Sequence, residues 1–455
     1  MTKFNKNLVT QHFISPSNST PFLKVTKGEG VYLWDNNGNK YLDGSSGAVV
    51  TSIGHGNPRV LEAMRVQSEK VTFAYARVWE NDSNEQLSQR LTENAGCGLD
   101  ASFFVSGGSE ATETTIKFAR QVAFARGKKS RWKIISRSPS YHGNTLGALA
   151  ITGDLTLHSI FGPMLKDMPK ISTPLSYRLP LGMSAESHAM ICAAELETKI
   201  LEEGADSILA FIIEPIGGTA TGAAYAPDAY YKKVREICSH YGVLLIFDEV
   251  MSGVGRCGRF LAAHYWPDCQ PDIVALAKGL SAGYAPMGAM MTRSDLVEEV
   301  RSSGGFAHGH TYVANPISCA AAVAVIDEIE ENNLVRKSAE LGELLRTKLT
   351  ELQQGIKILG DVRGRGLMQA IEIVACNETK EMLSVEVNAI SRLQRYCKEN
   401  GLLFDFRRAS GGVYGEWLMI CPPLIITPDQ IDDMVRTLEK ALRRLQDELK
   451  SEGII

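Results

Sequence analysis

From about residue 100 to 325 the chain alternates short apolar runs with longer segments of helical character. This is the pattern of a mainly parallel sheet covered by helices on both faces. The runs that predict strands are Ala101 to Val105, Lys133 to Ser136, Leu209 to Glu214, Val243 to Phe247, Ile273 to Leu276 and Gly288 to Thr292. Several end in a polar or ionisable residue, and ligands of open α/β sheets collect at the carboxyl ends of strands. Upstream, Gly30 to Trp34 and Lys40 to Leu42 flank Asn36-Asn37-Gly38 and predict a hairpin. Asn57 then reads as an N-cap and Pro58 as the first residue of a helix reaching about Glu69.

Downstream, residues 318 to 355 are helical in composition and long enough to lead from a large domain into a smaller one. Ile356 to Gly366, Leu367 to Val374 and Leu418 to Ile420 supply further strand candidates. Thr427 as N-cap, Pro428 and Gln430 open a last helix whose stripe is Ile431, Met434, Val435, Leu438, Leu442 and Leu445. A chain of 455 residues exceeds one ordinary core. The expected division is a large domain over 61–325, with 1–60 and 326–455 forming a smaller α+β domain.

Composition narrows the class. Hydrophobic residues at 44% and charged residues at 22% give the balance of a folded soluble protein. The 48 basic and 52 acidic residues leave a charge of −4, and the basic residues are dispersed, so there is no footprint for nucleic acid. No run approaches a membrane span. The nine cysteines form no CxxC pair, and the histidines form no HExxH or similar ligand pattern, so no metal is expected. With a polar start from Met1 to Leu8, a reducing cytoplasm is the expected compartment.

Five strand ends carry the candidate chemistry. Asp248 closes an apolar run, where a buried carboxylate needs a partner; a helix cap or structural ion pair would also account for it. Lys278 follows another run and precedes Gly279, a setting in which an amine can lose solvation and become a nucleophile. Ser106-Gly107-Gly108-Ser109 permits a tight turn whose following helix presents N–H groups to an anion. Tyr141-His142-Gly143 offers a flat ring beside a residue that allows close approach, and Glu214-Pro215 adds a second acidic terminus.

Together, Phe247-Asp248-Glu249-Val250, Gly253-Val254-Gly255-Arg256 and Ala277-Lys278-Gly279-Leu280, with Asp248 and Lys278 thirty residues apart, resemble the signature of the class III aminotransferases. Gly54-His55-Gly56-Asn57-Pro58, Gly309-His310-Thr311-Tyr312 and Pro422-Pro423-Leu424 extend the resemblance, which runs in order from about residue 20 to 445. It implies the fold of type I pyridoxal 5'-phosphate (PLP) enzymes, whose large domain carries a mainly parallel seven-stranded sheet. It also implies a ping-pong aminotransferase of the omega-amino-acid:pyruvate group, with pyridoxamine 5'-phosphate as the amino-carrying form.

The same resemblance assigns roles. Lys278 corresponds to the lysine that carries the cofactor, Asp248 to the partner of its pyridine nitrogen, and Tyr141 to the stacked ring. Val250 matches the residue on the opposite ring face, His142 and Glu214 match further contacts around the cofactor, and Gly108 with Ser109 matches the phosphate cradle. Thr311 matches a phosphate contact from the neighbouring subunit, implying an obligate homodimer, with a tetramer compatible.

For the substrates, a small-molecule amino donor and a keto-acid acceptor, Phe22, Tyr75 and Trp79 are candidate pocket residues, joined by Phe73 and His310. Arg408, with Arg407 as its rival, matches a mobile arginine that clamps a carboxylate. Ser45-Ser46-Gly47-Ala48 stands where some relatives carry bulky aromatics. The alternative reaction on the same fold is amino-acid racemisation, epimerisation or amino migration. A catalytically idle PLP-binding scaffold would require loss of a core group, whereas Lys278, Asp248 and Tyr141 are all present.

Overall fold

The computed structural model describes residues 23–455, so the polar start and Phe22 lie outside the described residues. The strands are β1 Val25–Glu29, β2 Tyr32–Asp35, β3 Lys40–Asp43, β4 Ala101–Val105, β5 Lys133–Ser138, β6 Lys170–Ser172, β7 Ile208–Ile213 and β8 Leu244–Asp248. They continue with β9 Ile273–Leu276, β10 Gly288–Thr292, β11 Leu359–Arg365, β12 Met368–Ile373, β13 Leu402–Leu403, β14 Asp405–Arg407 and β15 Glu416–Ile420.

The central sheet has seven strands in the order β4-β10-β9-β8-β7-β5-β6. β5 through β9 pair in parallel, while β10 runs antiparallel to both β4 and β9. Every residue of β7 and β8 is buried, because helices cover both faces and leave no solvent side to alternate towards. All six strands anticipated in this region form. Lys170–Ser172 escaped the pattern because three residues at a sheet edge carry no apolar run.

β2 and β3 form the expected hairpin, with Leu33 opposite Tyr41. Asp35 Oδ1 accepts from the N–H groups of Asn37 (2.8 Å) and Asn39 (2.9 Å), and Gly38 takes the left-handed φ of +83° that the turn needs. The hairpin then joins the far end of the chain: β13 pairs in parallel with β3, placing Leu402 opposite Leu42. A second small sheet has the order β11-β12-β15-β14.

The helices begin where their caps predict. Asn57 accepts from the Val60 N–H ahead of the helix Pro58–Lys70, and Thr427 with Gln430 forms a complete capping box before Pro428–Ser451. The segment 318–355 instead divides into the helices Pro316–Glu331 and Leu334–Gly355. The chain breaks at Asn332–Asn333, where Asn333 adopts φ +52°, a conformation asparagine tolerates better than most residues.

The second of these helices crosses close to the β11–β12 turn. A Cβ on Gly342 would collide with the Gly366 backbone, while Ser338 Oγ donates to Arg256 O (2.9 Å) and accepts from Leu367 N (3.2 Å). The backbone cannot yield as a flexible side chain would. Gly342→Ala is expected to destabilise the protein by roughly 1–3 kcal/mol, read as a lower urea midpoint; an unchanged midpoint would refute the close packing.

Candidate active site

β4, β5, β7, β8 and β9 all point the same way, so their carboxyl ends share one sheet edge. Immediately past them stand Ser106-Gly107-Gly108-Ser109, Tyr141-His142-Gly143, Glu214, Asp248 and Lys278. These residues line one cavity of about 430 Å³. The segment Ser281–Met287, which leads into β10, adds an apolar wall with Ala285 and Met287.

Asp248 is 5% exposed, and each of its oxygens has a protein partner. Its Oδ2 lies 2.8 Å from His142 Nδ1, and its Oδ1 accepts from the Val250 N–H at 3.1 Å. His142 is held in turn by its own N–H, which donates to Thr152 Oγ1 (2.9 Å). Its Nε2 is buried without a hydrogen-bond partner. A carboxylate oxygen has further acceptor capacity beyond one bond, so Asp248 can still receive a proton donor from the cavity.

Glu214 is also buried, and it organises backbone. Its carboxylate accepts from the N–H groups of Tyr141 (3.0 Å) and Gly218 (2.7 Å). Burial pushes its pKa up, with His142 opposing and Asp248 reinforcing the shift.

Lys278 is half-buried at φ +46°, a left-handed conformation that costs an ordinary residue about 1–2 kcal/mol. The turn is held by Leu280 N–H to Ala277 O (2.9 Å) and Ala282 N–H to Lys278 O (3.0 Å). Burial lowers the ammonium pKa, opposed first by the charge of Asp405 and then by Asp248. The consequence is a larger share of neutral, nucleophilic amine.

The anion cradle lies opposite. The helix Gly108–Ala125 opens at the cavity, and a Cβ on Gly108 would come within 3.0 Å of Val250 Cγ1. Gly143, at φ +136°, brings the neighbouring loop against Ser109; a Cβ there would sit 2.7 Å from Ser109 Oγ. Ser109 Oγ accepts from the Asn144 N–H (3.1 Å). N–H groups at such a helix start attract an anion.

The structure thus brings Gly108, Ser109, Tyr141, His142, Glu214, Asp248, Val250 and Lys278 together around one space. Other expected site residues lie elsewhere. Tyr75 and Trp79 are 47% and 65% exposed and do not line the cavity, nor does the exposed Thr311. Arg408 is ion-paired to Glu416 and donates to Asn388 Oδ1 (3.0 Å). Val50, Ile216 and Met251 line the cavity unforeseen, since isolated apolar residues carry no signal distinguishing a pocket wall from a core. Among the described residues, no cluster of three or more His, Cys, Asp or Glu is placed to hold a metal, and no helix is long and apolar enough to cross a membrane.

The aminotransferase class-III family profile matches residues 13–442. The chain is 36% identical to the uncharacterized aminotransferase YodT of Bacillus subtilis (strain 168), over 98% of this chain and 100% of that one. It is 33% identical to a putrescine–pyruvate aminotransferase of Pseudomonas aeruginosa, covering 92% and 90% respectively. An amine transaminase from an uncultivated Pseudomonas species, solved in its PLP-bound form, superposes with a TM-score of 0.89 at 33% identity, covering 96% of this chain and 99% of that one. The chain belongs to the class III aminotransferases. It is a PLP-dependent enzyme of fold type I, and the cavity suits that cofactor: a buried carboxylate, an amine and a glycine-opened helix start face one ring-sized space.

Glu249, next to Asp248, fastens the exit of β8. Its buried carboxylate accepts from the Ala262 and Ala263 N–H groups (2.5 and 2.8 Å) and from Ser252 Oγ (3.2 Å). Burial nevertheless pushes its pKa up from 4.5 to about 7. The folded state therefore binds this proton more tightly than the unfolded chain, a contribution present below pH 4.5 and lost as pH rises through about 7. The stability difference between wild type and Glu249→Gln is expected to fall over that window and flatten above it. Unfolding midpoints across pH test this; a pH-independent difference would refute it.

Proposed function

We propose that this enzyme transfers an amino group from an amine or amino acid to a keto acid such as pyruvate, in two half-reactions at Lys278. The observation that carries this reading is the convergence of Lys278 and Asp248 on one cavity from adjacent strand ends. The relative from Pseudomonas aeruginosa, named for putrescine and pyruvate, supports an amine donor and a keto-acid acceptor.

When bound, PLP supplies an electron sink for the carbon beside the substrate nitrogen. Lys278 would hold the cofactor, and its amine would move the proton at that carbon. Asp248, steadied by His142 and the Val250 N–H, keeps the proton on the pyridine nitrogen. Tyr141, fixed through its N–H to Glu214, and Val250 would hold the cofactor ring between them. Gly108 and Ser109 receive the phosphate.

Arg408 would take a substrate carboxylate by giving up Glu416. Tyr75 and Trp79, at exposed positions, join the pocket from outside the 430 Å³ cavity. The exposed Thr311 serves the site of a second subunit, so the working unit is a homodimer. The domain division is 1–60 with 326–455 against 61–325, supported by the β3–β13 pairing. The setting is the cytoplasm.

Borohydride reduction is expected to leave a cofactor-mass adduct on residue 278 of the wild type and none in Lys278→Ala, with circular dichroism unchanged. Amino transfer in the variant falls by about 10²–10⁴-fold or more. A donor and acceptor panel read by chiral mass spectrometry should yield alanine from pyruvate, with parallel double-reciprocal plots. Recovery of the donor with altered configuration or amino position, without alanine, would overturn transamination in favour of racemisation or amino migration.

A further inference from the structure

The second small sheet is joined to the cofactor cavity by an unbroken run of hydrogen bonds. Asp361, Glu372 and Trp417 stand opposite one another on β11, β12 and β15, and Arg363 lies two residues beyond Asp361. All four side chains therefore leave the same face of the sheet. Arg363 is 14% exposed, and its Nη1 donates to Asp361 Oδ2 (2.9 Å) and Glu372 Oε2 (2.6 Å), which fixes the guanidinium on that face.

The remaining nitrogens reach off the sheet to the loop that follows β7. Arg363 Nε donates to Gly222 O (2.7 Å) and Nη2 to Thr221 O (3.2 Å), while Nε1 of the buried Trp417 donates to Thr219 O (2.7 Å). A Cβ on Gly222, at φ +60°, would stand 2.6 Å from Trp417 Cγ and 2.8 Å from Arg363 Nη2, so the loop lies directly against both side chains.

The gripped loop leads straight to the cavity. Gly217 N–H donates to Ala224 O (2.8 Å) and Gly222 N–H to Gly218 O (2.9 Å), which closes the loop on itself as a compact unit. At its near end Gly218 N–H donates to Glu214 Oε2 (2.7 Å), and Glu214 Oε1 accepts from the Tyr141 N–H (3.0 Å). The Glu214 carbonyl is held separately by Arg137 Nη2 (2.6 Å), so the direction of its carboxylate follows from where Gly218 and Tyr141 stand. Glu214, Ile216 and Tyr141 all line the cavity.

We propose that Arg363 and Trp417 are positioning residues for the cofactor ring. By gripping Thr219 to Gly222 they set Gly218 and the Glu214 carboxylate, and through that carboxylate the place of Tyr141. This deepens the transaminase reading and rests on Tyr141 being the stacked residue. Reacting geometries tolerate little displacement: a shift of about 1 Å that originates far from the reacting atoms can cost about 10²-fold in rate.

A double-mutant cycle tests this. Trp417→Phe removes the bond to Thr219 O and keeps an aromatic ring in the core. Arg363→Lys keeps a cation beside Asp361 and Glu372 but cannot hold two loop carbonyls, and Glu372 retains its ion pair with Arg178. Each is combined with Glu214→Gln, which has one accepting oxygen where two N–H groups now bond to two. Visible circular dichroism of the bound cofactor and the rate of PLP release on dilution are read on each holoenzyme, with the urea midpoint measured alongside.

Trp417→Phe is expected to weaken the dichroic band and speed release by about 2- to 10-fold, the worth of one neutral hydrogen bond. Arg363→Lys should speed it by about 10- to 100-fold, since bonds from a charged group are lost. Neither should add to the loss already present in Glu214→Gln, because residues on one path are not independent. Additive effects, or an unchanged band and release rate beside a lowered urea midpoint, would mean that Arg363 and Trp417 only stabilise the sheet, and would overturn the proposal while leaving transamination intact. The two single variants break different bonds, so either completes the cycle when the other does not fold. Non-additive effects on the cofactor in an enzyme that forms no alanine from any donor would uphold the positioning and overturn the transaminase reading.

Discussion

A buried carboxylate must be given partners, and the arrangement around Asp248 is the constraint from which the rest of the site follows. At the last residue of a fully buried strand it cannot reach bulk water, and an unpaired charge there would cost several kcal/mol. His142 and the Val250 N–H meet its two oxygens. Satisfying Asp248 thereby fixes the Tyr141–Gly143 loop from one side and the Val250 turn from the other. β8 pairs with β9 so that Asp248 stands opposite Ala275, three residues before Lys278. The two ionisable groups are brought to the same edge by strand register.

The site holds some residues in positions that would otherwise be avoided. Lys278 sits in a left-handed conformation at the end of an apolar strand, where its charge is poorly solvated. Such strain persists only where surrounding packing overrides it, and Ala277, Leu280 and Ala282 supply that packing. The glycines serve the same economy of space. Gly108 and Gly143 let the helix start and the neighbouring loop approach closely enough to make a narrow cradle, which any side chain there would fill.

Much of this was legible in the order of residues. Strand ends at Val105, Leu276 and Thr292 coincide with the limits of their apolar runs, because a strand covered on both faces must be apolar throughout. Caps at Asn57 and Thr427 are local: each bonds to backbone three residues away, so neighbours in sequence suffice to define it. β6 was not legible, being three residues at a sheet edge, and neither was the break at Asn333, because its helical flanks share one composition.

The line between the two sources is drawn by distance. Sequence alone determined which strand ends carry a lysine, two carboxylates and a glycine-rich turn, since periodicity and flanking residues act over a few positions. Only the tertiary structure decided that His142 binds Asp248 across 106 residues and that Arg408 turns to Glu416. Those relations depend on sheet order and on β3 meeting β13, pairings in which residues far apart along the chain become neighbours without any local pattern to announce them.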